Sequence, residues 1–134
     1  MNNLLYNEFL ESGDSLRVYV EDMLVFSSRK EGLMPLLEYI DRLAIDHLGV
    51  TILDKIMGNA AALLSIKAGC QEAGSPLGSQ LAIATLEKYG IKYRLNKITP
   101  YIKQPYSADM CPMEKLSIDK DPEGFYALMK TKII

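Results

Sequence analysis

The sequence is poor in the residues that build metal centres and disulfide frameworks. Its 134 residues include two cysteines, Cys70 and Cys111, a single histidine, His47, and no tryptophan. Two isolated cysteines do not make a disulfide framework, so we expect a reducing, cytoplasmic setting. A metal ion needs several ligands close together, and one histidine cannot supply them. We therefore expect no metal, and no motif indicates another cofactor.

Long apolar runs are also absent. The longest apolar block, Ala60 to Leu64, is far shorter than the roughly 18 residues of a membrane-spanning helix. The first eight residues contain no basic segment followed by an apolar run, so we expect no secretory signal. Hydrophobic residues make up 49% and charged residues 24%, which is typical of a globular protein. The length suits one hydrophobic core, so we expect a single domain over residues 1–134 and no membrane contact.

Neither sign of charge dominates the whole chain, but its two parts differ. Residues 1–54 carry four basic and ten acidic side chains, and residues 55–134 carry eleven basic and seven acidic ones, so the total is −2. Residues 88–108 contain five basic residues, four tyrosines and no acidic residue. Such a mixture can stack on a nucleotide or a single strand, but the strand alternation favours a solvated basic face with buried rings. We expect no binding of bulk nucleic acid, whereas one small anion held locally fits the charge distribution.

The apolar pattern alternates between strand-like and helix-like segments. Residues 16–20 and 23–27 are predicted to form a β-hairpin, although its turn, Glu21-Asp22, lacks the preferred glycine. Residues 54–68 are predicted to form a buried helix, and residues 70–78, with two glycines, a proline and a glutamate, a loop. Helices alternating with strands indicate an α/β fold, a three-layer α-β-α sandwich around a mixed sheet. Such sheets bind ligands at the carboxyl ends of strands, beside helix N-termini.

The helix predicted to start at Asp54 has its polar residues at its N-terminal end. Asp54 can cap the first turn, and Lys55 and Asn59 share a face because they are four residues apart. A positive helix end beside a lysine is a natural anion site. The alternative is that Asp54 is only a cap and that the other two side chains reach solvent. Ser79 starts the next predicted helix, and these four are the candidate ligand-binding residues.

A second candidate segment is Cys111-Pro112-Met113-Glu114. Functionally, Cys111 is a candidate nucleophile and Glu114 a candidate acid or base, since a thiolate is favoured near a helix start. The alternative is a buried, inert cysteine, with Glu114 paired to Lys115 or to a helix N-terminus. Lys30-Glu31-Gly32 either lines the same crevice or forms a plain turn.

Three separated segments carry a likeness to known proteins. They lie at residues 27–36, 54–63 and 111–114 and read SSRKEGLMPL, DKIMGNAAAL and CPME. Together they resemble an uncharacterised prokaryotic family, a domain of unknown function with a cytidine-deaminase-like fold. The likeness continues through residues 86–91 and 100–102 and therefore covers nearly the whole chain. It implies the fold, including a central strand between the helices that start at Asp54 and Ser79, although the composition of residues 71–78 favours a loop. Either a poor strand is held there by its neighbours, or the sheet is locally distorted. The family has no established activity to carry over.

The zinc ligands of the true deaminases are missing at the matching positions. Those enzymes need a His or Cys two residues before a Glu at one helix start and Pro-Cys-x-x-Cys at the next. Here residues 54–56 and 78–82 contain neither cysteine nor histidine, and His47 lies outside both segments. The resemblance therefore implies that this chain is not a zinc-dependent deaminase, and whether it is an enzyme stays open.

Two functions from different classes fit these patterns. The first is a non-zinc site for a small anionic or nucleotide-like ligand at helix N-termini, with Lys55 on the anion, Asn59 orienting it and Ser79 donating to it. Cys111 and Glu114 would close over that ligand. The second is a non-catalytic regulatory or protein-interaction module that works as a homo-oligomer, by analogy with related folds.

Overall fold

The computed structural model describes residues 2–133, which form a five-stranded mixed sheet and six α-helices. The strands are β1 (Leu16–Val20), β2 (Met23–Ser28), β3 (Val50–Asp54), β4 (Cys70–Ser79) and β5 (Lys92–Thr99). The helices are α1 (Asn3–Ser12), α2 (Met34–Arg42), α3 (Asn59–Lys67), α4 (Gln80–Lys88), α5 (Pro112–Ser117) and α6 (Pro122–Ile133). None of these helices is both long and apolar enough to cross a membrane.

The strands lie in the order β2-β1-β3-β4-β5. β1 is antiparallel to β2 and to β3, whereas β3, β4 and β5 run parallel to one another. Parallel neighbours need crossover connections, which α3 and α4 supply. The α/β class and the mixed sheet predicted from the sequence are confirmed.

Helices pack against both faces of the sheet, which makes the domain an α/β sandwich. On one face, α1 packs Tyr6 and Phe9 against Leu53 of β3. On the opposite face, α2, α3, α4 and α6 enclose the main core together with Ile52. Successive strand residues point to opposite faces. Asp54, two residues after Ile52, therefore lies on the side of the main core.

The predicted hairpin is present as β1 and β2. Its turn forms without a glycine because Glu21 itself takes the left-handed conformation, with φ +55°. β2 extends one residue beyond the prediction, to Ser28, which pairs with Leu16. The hairpin therefore forms one edge of the sheet.

The loop that composition favours over residues 70–78 is wrong, because these residues belong to β4, a strand of ten residues, where the family resemblance implies a central strand. The low β-propensity of this segment is overcome by its place in the sheet. β4 has a parallel neighbour on each side and therefore gains two ladders of backbone hydrogen bonds. Pro76 lacks an N–H, but it lies beyond Gly74, the last residue that pairs with β3 in this ladder. Gly78 suits the packing, since a Cβ there would lie 2.5 Å from Cδ1 of Leu95.

The helix predicted over residues 54–68 begins five residues later than expected, at Asn59. Asp54 is instead the last residue of β3 and pairs with Leu16 of β1. Met57 then forms a parallel bridge with β4, and Gly58 takes an extended conformation just before the helix. A buried strand end that leads into a buried helix shows no change in hydrophobicity, so the sequence does not reveal this boundary.

Candidate functional site

A cavity of about 200 Å³ lies beside the carboxyl end of β3. The end of β3 and the start of α3 border it, together with the loop before α2 and the segments around Ile102 and α5. Most of its lining is apolar. The lining residues are Ser15, Glu31, Gly32, Leu33, Asp54, Lys55, Ile56, Gly58, Ala60, Ala61, Ile102, Cys111, Met113 and Glu114.

Asp54 is the buried acidic residue at the end of β3, with 8% of its surface exposed. Its Oδ1 accepts a long hydrogen bond of 3.4 Å from the amide of Ile56, and the carboxylate has no ion-pair partner within residues 2–133. Burial raises the pKa of Asp54 to about 7, and the nearby amides of Ile56 and Lys55 oppose this shift more weakly. Asp54 can therefore take up or release a proton near neutral pH.

Lys55 follows Asp54 and supplies a positive charge to the cavity border. Its backbone amide donates to the carbonyl of Ser15 over 3.0 Å, which fixes the chain between β3 and the start of β1. Its side chain is exposed and makes no ion pair with any described residue. Glu31 and Gly32 also line the cavity, so the segment Lys30-Glu31-Gly32 borders the crevice as one of its two interpretations predicted.

Glu114 is almost fully buried, with 1% of its surface exposed, and both of its carboxylate oxygens are bonded. Oε1 accepts from the backbone amide of Asn59 over 2.5 Å, and Oε2 accepts from the backbone amide of Ile102 over 2.8 Å. The first bond places a carboxylate at the N-terminus of α3, where negative charge is favoured. Glu114 thus joins α5 to α3 and to the segment at Ile102, in agreement with the structural alternative for this residue. A Cβ at Gly58 would lie 3.0 Å from Oε1, so glycine permits this approach.

Asn59 and Ser79 are not among the residues that line the cavity. The side-chain nitrogen of Asn59, Nδ2, donates to the carbonyl and hydroxyl oxygens of Ser117, over 3.2 and 3.0 Å. The side-chain oxygen of Asn59, Oδ1, accepts from the Thr85 hydroxyl. The fully buried Ser79 hydroxyl accepts from the Ala82 amide over 3.1 Å and so caps α4. The structure therefore brings four predicted residues to the cavity (Asp54, Lys55, Cys111 and Glu114) and uses the other two to fix helices.

The two cysteines differ in surroundings, and neither forms a disulfide. Cys111 is half-buried, lines the cavity and precedes α5, with its amide donating to the Ile102 carbonyl over 2.8 Å. Cys70 is buried at the start of β4, and burial raises its pKa to about 12. At neutral pH Cys70 is therefore an unreactive thiol.

The apolar part of the cavity is not indicated by any of the candidate site residues. Leu33, Ile102 and Met113 supply much of this lining. Ile102 and Met113 lie within segments that carry the family likeness, which was the available signal for them. Leu33 belongs to another such segment, but its hydrophobicity alone does not distinguish a cavity wall from a core.

Metal ligands are not clustered in the described part of the chain. Within residues 2–133 no group of three or more His, Cys, Asp or Glu side chains could hold a metal ion. His47 lies apart from the cavity, with its Nδ1 3.2 Å from the Tyr39 hydroxyl.

The fold and the cavity together define an α/β sandwich protein with an apolar cavity at the end of a central strand. The chain belongs to the TM1506 family, a domain of unknown function (DUF1893), whose model matches residues 5–133. It is similar to a DUF1893 family protein, TM1506 from Thermotoga maritima, whose crystal structure is known at 2.70 Å resolution. The similarity covers 98% of this chain and 91% of that chain, with 28% sequence identity and a TM-score of 0.86. No curated protein matches the chain. The resemblance to an uncharacterised family is confirmed.

Proposed function

We propose that this domain binds a small nucleotide-like ligand in the cavity beside Asp54, on a fold of the cytidine-deaminase-like type. The fold assignment is supported by an antiparallel hairpin, β1 and β2, beside three parallel strands with helices on both faces. The ligand assignment is supported by the position of the cavity, since α/β sheets bind ligands at the carboxyl ends of strands. The main support for ligand binding is that Asp54, Lys55 and Cys111 line the same apolar cavity.

The size of the cavity favours one ring system as the buried part of the ligand. Pockets for drug-sized molecules measure roughly 300–1,000 Å³. At about 200 Å³, this cavity suits a single base-like ring system. The sugar and any phosphate of a nucleotide would then extend toward solvent, where the exposed Lys55 side chain can neutralise the negative charge.

The anion contact is assigned to Lys55 and not to the N-terminus of α3. The first amide of α3, on Asn59, already donates to Glu114, so that helix end holds an internal carboxylate. A ligand phosphate at the same place would meet like charge. Asn59 and Ser79 therefore act indirectly, by holding the helices that border the cavity. The proposal concerns binding, and it assigns no reaction to Asp54 or Cys111.

A binding assay tests this function directly. Calorimetry or thermal shift with AMP, GMP, CMP, UMP and inorganic phosphate is expected to show stabilisation by at least one nucleotide. Lys55→Ala should weaken that binding about fivefold, since an ion pair near the surface contributes about 1 kcal/mol. Lys97→Ala is the matched control, because Lys97 is also exposed and is not part of the cavity lining. No stabilisation by any of these compounds, or equal binding by Lys55→Ala and wild type, would overturn the proposal.

A second candidate function is a protein-interaction module that works as a homo-oligomer. It is supported by β2, an edge strand on which Met23 and Leu24 are 70% and 43% exposed. Exposed apolar edges are templates for pairing with another chain. Sedimentation should then show a dimer that Met23→Lys dissociates, whereas a monomer at high concentration would exclude this role. We further propose a cytoplasmic location, which the two free cysteines favour.

A further inference from the structure

The two carboxylates beside the cavity differ in how far their hydrogen-bonding capacity is used. Glu114 accepts one backbone amide on each oxygen, at 2.5 and 2.8 Å. Asp54 accepts the Ile56 amide over 3.4 Å and pairs with no cation of the described chain. A carboxylate has about four acceptor positions. A buried Asp54 therefore retains acceptor capacity that a cavity occupant can use.

Ser15 also lines the cavity, and its hydroxyl proton is already used within the chain. Its Oγ lies 2.6 Å from the Lys30 carbonyl and 3.0 Å from the Ser28 carbonyl, so its single proton is directed to these backbone oxygens. The remaining lone pairs of that hydroxyl can only accept. Glu31 and Lys55 form the exposed border of the cavity, and most of the other lining side chains are apolar. The Glu114 carboxylate is already bonded, and the Cys111 thiol is a further polar group.

We infer that the buried ring of the ligand has an edge with two adjacent N–H donors, as guanine does, and that this edge binds the carboxylate of Asp54. This inference rests on the proposed function and specifies its ligand class. A planar carboxylate accepts two parallel N–H donors in bidentate fashion. The low polarity of the surrounding lining strengthens these bonds, and it penalises a ligand edge that carries only acceptors.

The proton equilibrium of Asp54 makes the inference testable by pH. A ligand with two N–H donors needs the ionised carboxylate, whereas an edge with acceptors needs the protonated form. With a pKa of about 7, the ionised fraction rises about tenfold between pH 6 and pH 8. Affinity for the donor edge should rise by the same factor over this range.

The experiment compares guanosine with inosine, which lacks the 2-amino donor. Both lack a phosphate, so Lys55 is not a variable. Guanosine is expected to bind about tenfold tighter than inosine at pH 8, the size of a lost bidentate contact. Its affinity should rise about tenfold from pH 6 to pH 8. Asp54→Asn should remove both the discrimination and the pH dependence, while Asp46→Asn, an exposed residue outside the cavity lining, should change neither.

GMP separates failure of this inference from failure of the proposed function. If GMP and IMP bind equally to wild type and to Asp54→Asn, the donor-edge inference is overturned and the nucleotide-like site remains. Affinity that falls with rising pH would also overturn it, because it indicates an acceptor edge. If no nucleotide or nucleoside binds, both proposals fail. Circular dichroism of Asp54→Asn keeps loss of folding from being mistaken for loss of binding.

Discussion

Replacement of Asp54 by asparagine should change the pH dependence of stability in a defined direction. Burial raises the pKa of this carboxyl from 3.8 to about 7. The folded state therefore holds a proton that the unfolded state releases, so stability from this group is fully present below pH 3.8 and is lost as pH rises through 7. Between pH 5 and pH 8 the loss is about 3 kcal/mol, at about 1.4 kcal/mol per pH unit until the folded group ionises.

Urea unfolding of wild type and Asp54→Asn at pH 5 and pH 8 measures this loss. Asparagine keeps the size of aspartate and an acceptor for the Ile56 amide, but it does not ionise. The free energy of unfolding of wild type, relative to the variant, should fall by about 3 kcal/mol between the two pH values. Exposed Asp46→Asn should stay within about 0.5 kcal/mol of wild type. Parallel pH profiles of wild type and Asp54→Asn would refute a raised pKa.

Three further predictions concern the surroundings of the cavity. Glu114→Gln replaces one acceptor oxygen by an NH₂ donor that faces a backbone amide, and it should lower the free energy of unfolding in urea by about 2–4 kcal/mol. An unchanged urea midpoint would contradict the contact of Glu114 with two backbone amides. Gly58→Ala places a Cβ 2.8 Å from Cγ1 of Ile102 and should lower the free energy of unfolding by about 1–3 kcal/mol, measured by thermal unfolding. A variant as stable as wild type would show that the segment at Ile102 shifts to make room. Iodoacetamide should modify half-buried Cys111 in the native protein and leave Cys70 unmodified until unfolding, as mass spectrometry with Cys111→Ser as control would show; native labelling of Cys70 would contradict its burial.

Local patterns were sufficient to predict the elements that satisfy local rules. The hairpin of β1 and β2 follows from two apolar runs with a two-residue turn, even though Glu21 takes the place of glycine. α1 places Leu5 and Phe9 four residues apart and ends at Gly13, whose φ of +79° is the left-handed conformation that glycine favours. Each of these features depends on residues that are close together in the sequence.

β4 could not be predicted in the same way because its neighbours determine its conformation. Gly74 and Pro76 disfavour an isolated strand. In the folded chain, however, β3 and β5 pair with β4 from both sides, and these partners lie up to about 20 residues away in sequence. Pattern analysis of one segment contains no information about such partners.

The part of the site formed by neighbouring residues could be predicted from the sequence. Asp54 and Lys55 adjoin each other, and the general rule for α/β sheets places them at the end of a strand or the start of a helix. The contact of Glu114 with Asn59 joins residues 55 positions apart, and no spacing within the sequence indicates it. Residue type does not indicate the apolar lining either, because isoleucine and methionine are also common in a core. Only the family likeness marked the segments that contain Ile102 and Met113.

The two carboxylates show why residue type does not by itself assign a role. Both Asp54 and Glu114 are buried beside the same cavity. Glu114 is satisfied by two backbone amides, so removing it breaks contacts between elements that are distant in the sequence. Asp54 has one long amide contact, so its burial is unfavourable for folding above neutral pH. Under the proposed function, an N–H donor of the ligand offsets this cost at pH 8, so the stability prediction and the proposed binding both depend on the same carboxylate.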